Sequence, residues 1–77
     1  MIWMKDLYTI YQKLDEIGVE DVKKEIVKAH LYGCSVNGAE AYFLVLQQLV
    51  LIKKDNVKIY EVIKREVESI IQYSRLN

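Results

Sequence analysis

The 77-residue chain contains no proline, only three glycines (Gly18, Gly33, Gly38) and a single cysteine, Cys34. Without proline, no helix carries an obligatory internal break. The lone thiol excludes an internal disulfide, and with it the stapled framework of small secreted domains. Net charge is missing too, since 11 Lys+Arg balance 11 Asp+Glu beside one histidine. A neutral chain has no overall basic field to hold nucleic acid or an anionic membrane, so neither is expected as a partner. The longest apolar run, Ala41 to Leu46, is far short of the ~20 residues a membrane helix needs. The amino end lacks the basic segment and long apolar stretch of a secretory signal. Cytoplasmic residence is the expectation. Apolar content, by contrast, is high at 52%. A chain this short buries only about 60% of the surface its unfolded form exposes, yet that composition excludes disorder. One compact domain spanning residues 1–77 follows.

The pattern is helical. From Met4 to Ile17, the residues Leu7, Tyr8, Ile10, Tyr11, Leu14 and Ile17 recur at gaps that place them on one helix side. Gly18 stands where a left-handed residue closes a helix, because it has no Cβ to clash. A second helix is expected from about Val19 to Tyr32, with Val22, Ile26 and Ala29 inward and Gly33 as its stop. Asn37, followed by Glu40, resembles a capping box: the Asn side chain accepts a first-turn N–H and the Glu side chain returns to the cap. The third helix then runs from Gly38 to about Lys54. Asp55 or Asn56 caps a fourth that reaches roughly Ser74. In it Ile59, Tyr60, Ile63, Val67, Ile70 and Ile71 face inward, opposite Lys58, Glu61, Arg65, Glu68 and Gln72. No segment alternates apolar and polar residues as a half-buried strand would. The fold class is all-α: a compact bundle of four helices joined by short loops.

The third helix has more apolar surface than one inward face needs. Ala41, Tyr42, Val45, Leu46, Leu49, Val50 and Ile52 make one arc, with Phe43 at its edge. Leu44 and Leu51 fall on the other, beside Glu40, Gln47 and Gln48. Either the neighbouring helices wrap far enough to cover both leucines, or the face is an interaction surface. Burying each leucine is worth about 1.5–3 kcal/mol. Among the tyrosines, Tyr8, Tyr11, Tyr42 and Tyr60 lie on or beside inward stripes and read as core. Tyr32 and Tyr73 lie off theirs and are candidate contact residues.

Zero net charge conceals an asymmetry. Between Asp15 and Glu25, five acidic residues (Asp15, Glu16, Glu20, Asp21, Glu25) face two lysines, a local charge of −3. Between Lys53 and Arg65, five basic residues face two acidic ones, a local charge of +3. The acidic group falls at the corner between the first two helices. Glu20 and Asp21 there complement the positive end of a helix dipole. The whole corner also has the charge to enter the basic cleft of a nucleic-acid-cleaving enzyme. His30 and Cys34 are four residues apart, as a nucleophile and its base could be. No third group orients them, no metal-ligand spacing recurs, and no phosphate-binding or zinc-hydrolase motif is present. No catalytic residue, cofactor or metal is expected.

The order of segments is distinctive: an amphipathic first helix, EIVKAH within a second, a glycine-containing loop, NGAEAYFLVLQQL opening a third, and KIYEVIKREVESII as the last. Over residues 5 to 74 this resembles the small all-helical immunity proteins of bacterial contact-dependent growth inhibition and related polymorphic toxin systems. The resemblance implies a non-catalytic protein that binds a cognate toxin domain, such as a nuclease, and blocks it stoichiometrically. The acidic corner (Asp15, Glu16, Glu20, Asp21, Glu25) is the first candidate face for that toxin, and Leu44, Gln47 and Leu51 are the apolar alternative. A different class of reading is a homodimeric interaction protein, such as a small secretion chaperone or regulator, joined through Leu44 and Leu51.

Overall fold

A computed structural model describes the backbone of residues 2–76 and the side chains of residues 3–74. It is an all-α bundle of four helices: α1 (Ile2–Ile17), α2 (Glu20–Cys34), α3 (Gly38–Asp55) and α4 (Val57–Leu76). Each helix lies against the next in sequence, and α4 returns to α1. The diagonal pairs, α1 with α3 and α2 with α4, make no close backbone approach among the described residues.

Side-chain pairs fix the directions. Along α1 and α4, Asp6 meets Ser69 while Lys13 meets Glu66 and the Val62 carbonyl, so the two run antiparallel. Tyr11–His30 and Asp15–Lys23 do the same for α1 and α2. Tyr42–Ile70 and Lys53–Tyr60 do so for α3 and α4. The result is an up-down-up-down ring with one core, as short connections dictate.

The turns explain the ends. Gly18 has φ +74°, and its N–H bonds the Asp15 carbonyl while the Val19 N–H bonds that of Leu14. This is a Schellman closure with the left-handed glycine in its expected place. Asn37 accepts the Glu40 N–H at 2.8 Å, which is half of the expected capping box. In place of the return bond from Glu40, the Asn37 N–H donates to the Gly33 carbonyl at 3.0 Å. Asn56 alone separates α3 from α4. Its N–H closes α3 on the Ile52 carbonyl, and its own carbonyl accepts the Tyr60 N–H.

Gly33 corrects the sequence expectation. It does not stop α2, which continues through Cys34. A Cβ at Gly33 would stand 2.3 Å from the Cα of Ala41 and 2.7 Å from its nitrogen. The glycine is there so that α2 and α3 can meet backbone to backbone. The core holds Trp3, Leu7, Ile10 and Leu14 from α1, Ile26 from α2, Tyr42, Val45, Leu49 and Ile52 from α3, and Tyr60, Ile63, Val67 and Ile70 from α4. The slender contribution of α2 matches its close approach.

Candidate functional site

The five acidic residues of the expected corner are all exposed. Asp15 and Glu16 come from the last turn of α1, Glu20 and Asp21 from the first turn of α2, and Glu25 from one turn further on. Val19, which precedes α2, provides no side-chain cap. The negative charges of Glu20 and Asp21 stand in the first turn of this helix, where they complement the positive end of its dipole. Lys23 donates to both oxygens of Asp15 at 2.8 and 2.9 Å, and that hydrogen bond raises the lysine's pKa above its ordinary value. Glu25 approaches Lys28 only loosely, at 3.9 Å. One carboxylate is thus paired closely, while Glu16, Glu20 and Asp21 carry no ion pair among the described residues.

The apolar candidates lie on α3. Leu51 is exposed (44%), Leu44 is half-buried and Gln47 is exposed. The surrounding helices thus cover Leu44 in part and leave much of Leu51 open. Phe43 (61%) and Val50 (49%) are more exposed still. Together these residues line a shallow groove along the outward side of α3 that begins at Glu40. Sequence reasoning put Val50 on the inward arc and Phe43 at its edge. The buried residues Ala41, Tyr42, Val45, Leu49 and Ile52 centre the inward face elsewhere and turn both outward.

The two candidate faces meet at one point. A small groove between α2 and α3 is lined by Val22, Glu25, Gln48, Leu51 and Ile52. Glu25 of the corner therefore adjoins Leu51 of the apolar face, whereas Leu44 and Gln47 lie further along α3.

His30 and Cys34 stay one turn apart on one side of a continuous helix but differ in exposure. Both residues belong to α2, with His30 92% buried and Cys34 exposed. The His30 ring lies edge-on to Trp3, and its Nδ1 is 3.4 Å from the Tyr11 hydroxyl. Its Nε2 is buried without a hydrogen-bond partner, and burial pushes the imidazole pKa below its usual value. Burial first, then the neighbouring Tyr8 and Cys34, pushes the Tyr11 phenol up. Both shifts favour neutral side chains inside a packed wall. Among the described residues, no group of three His, Cys, Asp or Glu is placed to hold a metal ion.

The tyrosines divide differently from expectation. Tyr42 and Tyr60 are buried and Tyr11 is half-buried, but Tyr8 is 55% exposed. Tyr32 is exposed, as its place off the stripe implied, while Tyr73 packs its ring on Tyr42 at 5.4 Å. Ile17, also read as inward, is exposed where α1 ends. Sequence reasoning passed over the buried Glu66 and its ion pair to Lys13, although position 66 falls within the apolar arc of α4. Among the described residues, no helix is long and apolar enough to cross a membrane. No protein-family model, curated protein or solved structure matches the chain.

Proposed function

We propose that this protein is an immunity-type inhibitor that neutralises a cognate toxin domain by stoichiometric occlusion, with the acidic corner as its recognition face. The observation that carries the reading is the corner itself. Five carboxylates from two helices stand exposed at one end, only two lysines are interspersed, and the Glu25–Leu51 groove adds an apolar lip. Such a surface matches a basic, phosphate-binding cleft in sign, and complementary charge accelerates encounter and rejects wrong partners. Size is adequate. The molecule exposes 5253 Å², and a standard interface takes about 800 Å² from each partner.

The test is co-expression of the chain with each open reading frame adjacent to its gene, and with their isolated carboxyl-terminal domains. Protection from one toxic product, together with a 1:1 complex of the purified pair, is expected. Failure to protect against any toxic neighbour overturns the reading.

A further inference from the structure

We propose that the outward face of α3 is a self-association seam that pairs antiparallel with the same face of a second copy, across a two-fold axis at Gln47. This inference is independent of the toxin reading. It shares Leu51 with the apolar lip beside Glu25 but sets the rest of the acidic corner, Asp15, Glu16, Glu20 and Asp21, at opposite ends of the pair.

The first argument is the spacing. Along the outward side lie Glu40, Phe43, Leu44, Gln47, Val50, Leu51 and Lys54, separated by three, one, three, three, one and three residues. That order reads the same in both directions from Gln47. Helix neighbours sit three and four residues apart, so these residues form one stripe. Reversing the helix lays the stripe on itself, with Phe43 against Leu51 of the second copy and Leu44 against Val50. An isologous two-fold contact demands such a self-complementary patch.

The second argument is charge. The stripe is acidic at its start and basic at its end. Glu40 and Lys54 are both exposed, and neither makes an ion pair among the described residues. Antiparallel pairing sets Glu40 of each copy against Lys54 of the other, twice over. Parallel pairing sets like against like. The charges thus select a second copy in one orientation, as flanking charges do in paired helices.

The third argument is position. α3 packs on α2 and α4 but, among the described residues, makes no close backbone approach to α1, so its outward face points away from the bundle. Phe43, Val50 and Leu51 line a groove of about 490 Å³ there, which the facing stripe can enter. Gln47, on the axis, meets its own copy and can exchange amide hydrogen bonds with it.

The test has two arms. In analytical ultracentrifugation, the chain is expected to shift with concentration from 9.1 kDa towards twice that mass. Leu51→Asp weakens association at least tenfold while helicity is retained. Glu40→Lys weakens it as well, and adding Lys54→Glu restores it. In the second arm, Cys34→Ser provides a thiol-free background. Gln47→Cys then forms an intermolecular disulfide under mild oxidation, because residue 47 faces itself across the axis. Glu40→Cys does not, because the two positions lie about 21 Å apart along antiparallel helices. A monomer at all concentrations up to the millimolar range overturns the proposal. So does a dimer unaffected by Leu51→Asp, or crosslinking through position 40 in preference to 47. Toxin protection that survives Glu40→Lys, a change at the far end of α3 from the acidic corner, separates this inference from the proposed function, since either can fail alone.

Discussion

At the scale of single residues, two glycines separate backbone strain from steric exclusion. A Cβ at Gly18 meets nothing within 4 Å, so Gly18→Ala carries only the cost of holding a non-glycine residue at φ +74°, about 1 kcal/mol. Gly33 has no such conformational demand, but a Cβ there would lie 2.3 Å from the Ala41 Cα. That atom belongs to the backbone and cannot rotate away, so α2 and α3 must separate. Gly33→Ala is expected to cost about 3 kcal/mol or more, the upper range for overpacking a close-packed core. Urea unfolding of both variants checks the order, and a Gly33→Ala variant as stable as Gly18→Ala refutes the close-approach argument. Sequence alone could not distinguish these roles. A glycine near the end of a helical pattern looks like a terminator until the partner helix is in place.

His30 supports a second residue-scale prediction. Its folded pKa lies below its ordinary value because burial disfavours the imidazolium. The unfolded chain therefore binds the proton first as pH falls. The stability contributed by neutral His30 is complete above the unfolded pKa of about 6.5 and declines as pH drops beneath it. The midpoint of chemical denaturation should fall between pH 7 and pH 5, and His30→Leu should flatten that part of the dependence. An equal slope in the variant assigns the effect elsewhere. The buried, unpartnered Nε2 makes the site costly to protonate for the same reason.

At the scale of elements, the sequence was most legible where one physical signal acts alone. The left-handed Gly18, the Asn37 cap and the inward stripe of α4 depend on local sterics, one hydrogen bond and one periodicity, and all three lie where those rules put them. Legibility failed where two helices share a surface. Trp3 continues the Leu7–Ile10–Leu14 stripe one turn earlier than expected and is almost fully buried, so α1 begins before Met4. Glu66 sits within an apolar arc because Lys13 reaches it from α1, at 2.9 Å to both carboxylate oxygens. Removing only one partner leaves a charge in a low-dielectric site, which is destabilising. Lys13→Met is expected to cost about 2 kcal/mol, below the range for fully enclosed pairs because Lys13 remains one-third exposed. The double variant Lys13→Met/Glu66→Met should recover most of that loss. A double-mutant cycle reads the coupling directly, and additive effects would show that the pair is not coupled.

At the scale of the whole molecule, the charge distribution matters more than its sum. The acidic corner stands at the pole where α1 and α3 end and α2 and α4 begin, and Lys53, Lys54 and Lys58 of the basic group lie at the same pole. The −3 of the acidic corner was legible from composition, and its exposure follows from its position at a helix junction. Its adjacency to Leu51 was not legible, because that depends on how closely α2 approaches α3 through Gly33. If the corner recognises a toxin, its energetics should be those of steering. Exposed carboxylates contribute little to stability but set the association rate. Reversing Glu16, Glu20 and Asp21 together to lysine should slow association with the cognate toxin about 100-fold at low salt, with a far smaller effect on dissociation. The difference should shrink as ionic strength rises and the Debye length falls to about 3 Å near 1 M. Leu51→Ala should act in the opposite sense, hastening dissociation with little change in association, because a short-range apolar contact forms only after docking. Stopped-flow association measured against salt separates the two. A triple reversal that leaves the rate and its salt slope unchanged removes the acidic corner from the interface.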